Sequence, residues 1–408
     1  MRLSRRQILA GSAGLAALAM APQARADAFD LSDWDSVAAA ARGQQVYFNA
    51  WGGDRRINDY IAWAGQTLME RHGVELIQVK ISDVADAVTR VLAERTAGQD
   101  SDGAIDLIWI NGENFAAMKA NDLLFGPFTS ALPNWRLVDL VDNPTALVDF
   151  TIPTDGLEAP WGRAQFNILY DSDQVSAPPP RFAGFLDWAK EHPRRLTYPR
   201  PPDFMGTTFL KQGLITLTPD PSILEKPPAD QAAFDAAAAP LWDFLDQLTP
   251  LLWRGGSSYP TSGPAQQQML ADGELDFAFS FNPGDLQSGI ATGLFPASTE
   301  SYLFDGGTLG NSHFLAIPYN ARAKAGALVA INFLISSEAQ ARKADPQLWG
   351  DPTILALAAL TPAERARFES LASPPQPLTP GASAPSLPEP HPAWTSALEA
   401  AWTSRYGR

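Results

Sequence analysis

Two hydrophobic periods alternate along the first third of the chain. Nearly continuous apolar runs, typical of buried strands, are each followed by a segment with apolar residues three or four positions apart, typical of helices. The predicted strands are 45–51, 74–81 and 105–110. The predicted helices are 54–72, a helix that Ser82 caps and Gly98 closes, and 113–121. Three strand–helix units in succession predict a parallel sheet with helices on both faces.

A second unit of the same α/β kind is predicted from about residue 160 onward. Its predicted strands are 165–170, 196–198 and 275–281, and its predicted helices are a segment through Thr208 and Leu214, 234–252 and 266–271. A further strand over 315–318 precedes a helix with an apolar stripe from Ala327 to Ile335. Residues 373–392 are dense in proline, serine and alanine, which predicts a wrapping or disordered segment.

The N-terminus has the three parts of an export signal. Arg5 and Arg6 precede an uncharged run over 8–21, and Ala24 and Ala26 are the two small residues of a small-x-small cleavage motif. This arrangement predicts a Tat-type signal peptide, residues 1–26, that is cleaved after Ala26. We therefore expect the mature chain to work in the periplasm after passage through the Tat translocase.

Composition narrows the classes of partner. The whole sequence has a formal charge of −15, and the predicted signal peptide carries four arginines and no acid, so the mature chain is more acidic still. Such a chain repels phosphate backbones and anionic lipid, which argues against nucleic-acid and membrane-surface roles. The sequence has no cysteine, so thiolate metal sites and cysteine nucleophiles are excluded. We expect neither a cofactor nor a resident metal.

No catalytic motif stands out. The sequence has only four histidines and lacks the metalloprotease, nucleophile-elbow and P-loop motifs. Two alternatives to a binding protein remain: an exported hydrolase that uses two carboxylates on a sugar-like substrate, and a sensor that presents bound solute to a membrane receptor.

The order of five short stretches resembles extracellular family 1 of the periplasmic solute-binding proteins that serve ABC importers, the group with polyamine, thiamine and iron binders. The stretches are residues 46–51, 105–109, 160–162, 272–276, and 315–318 followed by 330–335. Together they span almost the entire mature chain. The residues around Trp51 and around 111–114 are most similar to the YnjB-like subgroup.

The resemblance implies a type II periplasmic-binding-protein fold, with doubly wound α/β lobes that are joined by hinge crossovers and close on a ligand. Lobe one would comprise 27–160 with a return segment at about 305–340, and lobe two 161–304 with part of 341–372. Residues 373–408 would form a proline-rich segment and a terminal helix. The implied partners are a small solute and, by transient docking, an ABC permease in the inner membrane. The implied protein is a monomer that catalyses no reaction and binds no ATP.

Candidate ligand-binding residues follow from the rule that open α/β sheets bind ligands beyond the carboxyl ends of their strands. Turn-like segments stand at predicted strand ends, at the crossing between lobes, and before the return strand. The candidates are Trp51, Gly52, Asn111, Gly112, Glu113, Asn114, Trp161, Arg163, Asp203, Phe204, Asn282, Asp285, Asn311 and His313. The alternative is that the glycines serve tight turns and the acids complement helix dipoles.

The sequence allows two interpretations of the charge of the ligand. Trp51 together with Glu113, Asp203 and Asp285 favours an organic cation or zwitterion, since rings and carboxylates suit an ammonium group. Arg163, His313 and the helix N-termini suit an anion instead. Polyamine-binding relatives have a tryptophan and an aspartate where this chain has residues 310–313, a departure that argues against a polyamine.

Overall fold

A six-stranded sheet and a three-stranded sheet organise the protein, as seen in a computed structural model that describes residues 29–371 and 385–407. The predicted signal peptide lies outside the described residues. The strands are β1 (Gln45–Trp51), β2 (Glu75–Ile81), β3 (Leu107–Ile110), β4 (Val148–Asp149), β5 (Ile152–Pro153), β6 (Glu158–Gln165), β7 (Asn167–Asp171), β8 (Phe277–Ser280), β9 (Thr299–Tyr302), β10 (Thr308–Ala316) and β11 (Ser386–Leu387).

The helices lie between these strands and after them. They are α1 (Trp34–Ala41), α2 (Arg55–His72), α3 (Val84–Thr96), α4 (Gly112–Ala120), α5 (Gly184–Glu191), α6 (Phe204–Leu217), α7 (Gln231–Leu248), α8 (Gly263–Ala271), α9 (Asp285–Ala291), α10 (Lys324–Leu334), α11 (Ser337–Ala344), α12 (Pro362–Glu369) and α13 (Pro392–Tyr406). Among the residues that the structure describes, no helix combines the length and apolar character needed to cross a membrane.

The first three strands of the first sheet follow the predicted parallel pattern, but the sheet as a whole is mixed, because β10 is antiparallel to β3 and to β6. Strands β2, β1 and β3 are parallel neighbours, and α2 begins at its cap Asp54 and ends at Gly73, which adopts the left-handed conformation. One cap was predicted wrongly. Asp83 caps α3, because its carboxylate accepts a hydrogen bond from the backbone N–H of Ala85, so Ser82 stands one residue before the cap.

The second sheet differs from the expectation of another parallel unit. Strand β7 lies between β8 and β9 and is antiparallel to both. The predicted strand over 196–198 is an irregular segment instead. Tyr198 is fully buried and stacks on Phe209 with 4.5 Å between the ring centres, so this apolar segment fills the core without joining a ladder.

Each sheet supports its own hydrophobic core. One core packs on a face of the first sheet around Phe48, Leu107 and Leu315, and a smaller one packs on its other face around Ile108 and Phe314. A separate core surrounds the second sheet. We call the elements around the first sheet the first lobe and those around the second sheet the second lobe. The two-lobed α/β class that the sequence predicted is confirmed.

The chain passes between the lobes more than once. Strand β6 pairs with β10 in the first sheet, and β7 follows it immediately in the second sheet. The chain returns between β9 and β10. The C-terminal part differs from the expected arrangement in one respect: Trp349, Ile354 and Leu360 pack in the first-lobe core, although part of 341–372 was expected in lobe two.

The segment before the terminal helix is partly described. Residues 386–387 form β11, which pairs with the start of β10, so this piece of the proline-rich region wraps along the first sheet. Helix α13 then packs into the second-lobe core through Trp394, Leu398 and Trp402.

Candidate functional site

A cavity of about 720 Å³ lies between the two lobes. Its first-lobe wall includes Trp51 and Glu113, and its second-lobe wall includes Asp203 and Phe204. A pocket of this volume is in the usual range for small-molecule sites. We call this cavity the cleft.

Strand ends build the first-lobe wall. Trp51 is the last residue of β1, and Asn111 follows β3 directly. Because β1 and β3 are parallel neighbours, with Phe48 opposite Leu107, their carboxyl ends reach the same edge of the sheet. Asn111 makes no side-chain hydrogen bond to cap α4, so its amide is not committed to that helix.

The start of α6 builds much of the second-lobe wall. Asp203 caps this helix by accepting hydrogen bonds from the backbone N–H groups of Met205 (3.0 Å) and Gly206 (3.4 Å). Burial outweighs these bonds and raises the pKa of Asp203 to about 6. Phe204 stands edge-on to Phe281, with 5.1 Å between the ring centres.

Of the predicted site residues, ten line the cleft. They are Trp51, Asn111, Glu113, Asn114, Asp203, Phe204, Asn282, Asp285, Asn311 and His313. Several of them already have partners within the protein. Asp285 accepts hydrogen bonds from Ser280 Oγ at 2.6 Å and from Arg56 Nη2 at 2.8 Å. Asn311 donates through Nδ2 to Glu389 Oε1 at 2.9 Å.

The other four predicted residues do not line the cleft. Trp161 is fully buried in an aromatic cluster, edge-on to Trp109 at 5.1 Å between the ring centres. Its ring is also packed against Phe48 and Trp349, so Trp161 is part of the first-lobe core and does not line the cleft. Arg163 is half-buried on β6, and its Nε has no hydrogen-bond partner among the described residues.

Gly52 and Gly112 have structural roles. The N–H of Gly52 donates to Ile81 O, and its carbonyl accepts from Asn58 Nδ2. Gly112 has a φ of 61° and donates its N–H to Asp149 Oδ2 at 2.7 Å. Both backbone N–H groups are therefore occupied within the protein, as the alternative reading of the glycines expected.

Three buried side chains form a group in which His313 of β10 and Lys343 both contact Asp351. His313 Nε2 lies 3.1 Å from Asp351 Oδ2, and Lys343 forms an ion pair with the same carboxylate. Burial tends to raise the pKa of Asp351, but His313 and Lys343 hold that pKa below its usual range. Gly162 is required opposite this group, since a Cβ there would collide with His313 and Asp351.

Sequence reasoning missed cleft residues that come from distant parts of the chain. They are Asp54, Asp83, Trp109, Phe150, Lys211, Phe281, Trp349, Asp351, Thr395 and Glu399, among others. Lys211 of α6 is a buried cation in the second-lobe wall of the cleft. Its Nζ lies 2.7 Å from Glu389 Oε2, and both side chains are 2% exposed. Within the described ranges, no group of three histidine, aspartate or glutamate side chains is arranged to hold a metal ion.

Comparisons with known proteins agree with this architecture. The family described as bacterial extracellular solute-binding protein matches residues 63–366. Protein YnjB of Escherichia coli (strain K12) is 45% identical over 376 residues, which cover 92% of this chain and 94% of YnjB.

Two solved structures share the fold at low sequence identity. The periplasmic binding protein AfuA of Actinobacillus pleuropneumoniae, with fructose-6-phosphate bound, has a TM-score of 0.61 at 14% identity over 89% of this chain and 99% of AfuA. The spermidine/putrescine substrate-binding protein PotD of Streptococcus pneumoniae has a TM-score of 0.57 at 14% identity, over 89% of this chain and 96% of PotD.

Proposed function

Because the chain belongs to the bacterial extracellular solute-binding protein family, we propose that it is the periplasmic receptor of an ABC importer. In this proposal it captures a small polar organic solute between its lobes and delivers that solute to a membrane permease by transient docking. It acts as a monomer and performs no chemistry on the solute. The predicted Tat signal of residues 1–26 would bring it to the periplasm.

The cleft is the observation that carries this proposal. Its walls come from both lobes, with Trp51 on one side and Phe204 on the other. A solute that contacts both walls stabilises the closed arrangement of the lobes by its differential affinity for that state. Closure is then the signal that a permease would detect.

The lobe boundaries of the proposal follow the cores. We assign residues 29–165 and 308–371 to the first lobe, because the segment around Trp349 and Leu360 packs in its core. Residues 166–307 and α13 form the second lobe. The hinge then consists of the junctions at 165–167, at 303–308 and between β11 and α13 at 388–391.

An organic cation or zwitterion is the proposed class of ligand. Four carboxylates that line the cleft form no ion pair with a lysine or arginine of the described residues. They are Asp83, Glu113, Asp203 and Glu399. Burial raises the pKa of Glu113, Asp203 and Glu399. The buried cation Lys211 is held by Glu389. A positive group between these carboxylates and the aromatic rings gains both charge pairing and ring contact.

The named ligands of the relatives span both charges. PotD is described as a spermidine/putrescine-binding protein and AfuA was solved with fructose-6-phosphate. Among the described cleft residues, the four carboxylates without an ion pair outnumber Arg200, a cleft cation that donates a hydrogen bond to the carbonyl of Gly407, and this balance favours the cationic end of the range for the present chain.

A mass spectrum tests capture without turnover. The mature chain is purified without denaturation from the periplasm of its own cells, and small molecules that it retains are released and identified. We expect one solute per protein molecule, chemically unchanged after prolonged incubation. A modified product in molar excess over protein would contradict the proposal and favour a hydrolase.

A further inference from the structure

Helix α13 has two distinct faces. Trp394, Leu398 and Trp402 pack into the second-lobe core. Thr395, Glu399 and Thr403 line the cleft. Since residues four apart lie on one side of a helix, each set forms a continuous stripe. A helix at the end of the chain therefore supplies a polar wall to the cleft.

This helix touches both lobes. It packs against α6 in the second lobe and against α4 in the first. Because α4 carries Glu113 and α6 carries Lys211, the polar stripe of α13 meets the charged residues of both walls. Its position is fixed by the buried tryptophans and by a hydrogen bond from Trp402 Nε1 to Tyr198 Oη at 2.9 Å.

Glu399 lies at the centre of the polar stripe. Thr207 Oγ1 donates to Glu399 Oε1 at 2.7 Å, and the hydrogen bonds of the described residues give Glu399 no other side-chain donor. Lys211 faces it from α6 but is paired with Glu389. The acids Glu113 of α4 and Asp83 before α3 also act on Glu399 through their charges.

The charge balance at Glu399 is therefore unfavourable in the protein alone. Burial, with help from Glu113 and Asp83, raises the pKa of Glu399 to about 7, although Thr207 and Lys211 act in the opposite direction. A positive group placed next to this carboxylate would favour its ionised form.

Thr395 provides a second, independent indication of a ligand. It lies one turn before Glu399, lines the cleft and is 2% exposed. Its Oγ1 has no hydrogen-bond partner among the described residues. An unpaired buried hydroxyl costs free energy, and a ligand group that reaches it would recover that cost.

We propose that α13 is the specificity element of the cleft, and that Glu399, with Thr395 beside it, binds an ammonium or guanidinium group of the solute. This inference rests on the proposed function, because it assigns a chemical group to the solute of that cleft. It adds a residue outside both predicted lobes to the binding site.

Titration of wild type and two variants with named probes tests the inference. The probes are 1,4-diaminobutane, agmatine, 4-aminobutanoate and thiamine, and their dissociation constants are measured by calorimetry between pH 5.5 and 8.5. Glu399→Gln keeps an acceptor for Thr207 but removes the charge. Glu225→Gln changes an exposed acid of the second lobe and is the matched control.

At least one probe should bind wild type. Glu399→Gln should raise the dissociation constant of that probe about 10- to 100-fold at pH 8, as expected for loss of a charged hydrogen bond. Wild-type affinity should rise as the pH passes about 7, the pKa of Glu399, and this step should be absent from the variant. Glu225→Gln should behave as wild type. Equal affinity of wild type and Glu399→Gln for the bound probe, or binding of none of the four probes, would overturn the inference.

Two further measurements separate this inference from the proposed function. Thr395→Val should weaken the same probe while leaving its pH step in place, which distinguishes ligand contact from a general loss of folding. If the solute that the protein retains in the periplasm has no cationic group, yet Trp51→Ala weakens its retention, the receptor function stands and the role of Glu399 is wrong. If Trp51→Ala has no effect on that retention, the cleft itself is wrongly assigned.

Discussion

Arg56 in α2 of the first lobe forms an ion pair with Asp285 at the start of α9 in the second lobe, with 2.8 Å between Nη2 and Oδ1. Asp54 also pairs with this guanidinium, with 2.7 Å between its Oδ2 and Arg56 Nη2. Burial opposes the charge, but Asp54 and Asp285 together raise the pKa of Arg56 above its ordinary value. The pair is therefore a direct electrostatic link between the lobes at the edge of the cleft.

We expect Arg56→Ala to favour an open arrangement of the lobes in the ligand-free protein. Loss of a partly buried charged hydrogen bond should shift the free energy of closure by about 1–3 kcal/mol. Small-angle scattering of the ligand-free chain should then give a larger radius of gyration. Arg55→Ala is the control, because Arg55 is 93% exposed and pairs only loosely with Asp59. Identical scattering by both variants would refute the link.

Two aromatic residues on opposite walls should contribute to binding. Trp51→Ala and Phe204→Ala should each make the free energy of binding of the retained solute less favourable by about 1–3 kcal/mol, the value of a buried aromatic contact. Calorimetry with that solute measures the loss. Trp253→Ala and His72→Ala are controls, because neither residue lines the cleft. Equal losses in all four variants would mean that the effects come from folding and not from ligand contact.

Much of this site was accessible from sequence because strand ends are local features. The apolar run 45–51 located Trp51, and the run 105–110 located Asn111 and Glu113. Both predictions needed only the rule for the carboxyl ends of parallel strands. Asp203 was selected as a turn after the predicted strand over 196–198, which is absent; it lines the cleft as the cap of α6 instead.

Other parts of the site depend on contacts between distant segments. Trp161 stands in a turn-like motif, but its burial is decided by Trp109 and Trp349, which are far away in the sequence. Glu399 follows a proline-rich segment that was expected to wrap or to be disordered. The spacing of Trp394, Leu398 and Trp402 was a signal for a packed helix there, but no local pattern states which cavity its other face meets.

The buried carboxyl of Glu158 should make stability depend on pH. Glu158 on β6 is fully buried, and neither of its oxygens has a hydrogen-bond partner among the described residues. Burial, reinforced by Asp149, raises its pKa well above the ordinary value. The folded state therefore keeps the proton, and the stability that this provides is lost as the pH rises above the ordinary glutamate pKa of about 4.3.

Glu158→Gln should consequently raise the free energy of unfolding at pH 7.5 by about 1–3 kcal/mol and change it little at pH 4.5. Thermal unfolding of wild type and variant at the two pH values measures the difference. Glu191→Gln, at an exposed acid, should show no such pH dependence. A Glu158→Gln variant less stable than wild type at pH 7.5 would contradict a native state in which Glu158 keeps its proton.

Export should depend on the paired arginines of the leader. Arg5→Lys with Arg6→Lys should leave uncleaved precursor in the cytoplasm, whereas Arg2→Lys should be exported normally. Cell fractionation with N-terminal sequencing measures both, and the exported chain should begin at Asp27. Periplasmic accumulation of the doubly substituted chain would refute Tat export without excluding export by another route.

A crystal structure of the mature chain with the solute that it retains tests the central claim most directly. The account predicts that the solute lies in the cleft, in contact with Trp51 of the first lobe and with Phe204 or Asp203 of the second. Its positive group should lie within hydrogen-bond distance of a cleft carboxylate. A solute bound on the outer surface, or one that contacts only a single lobe, would contradict capture between the lobes.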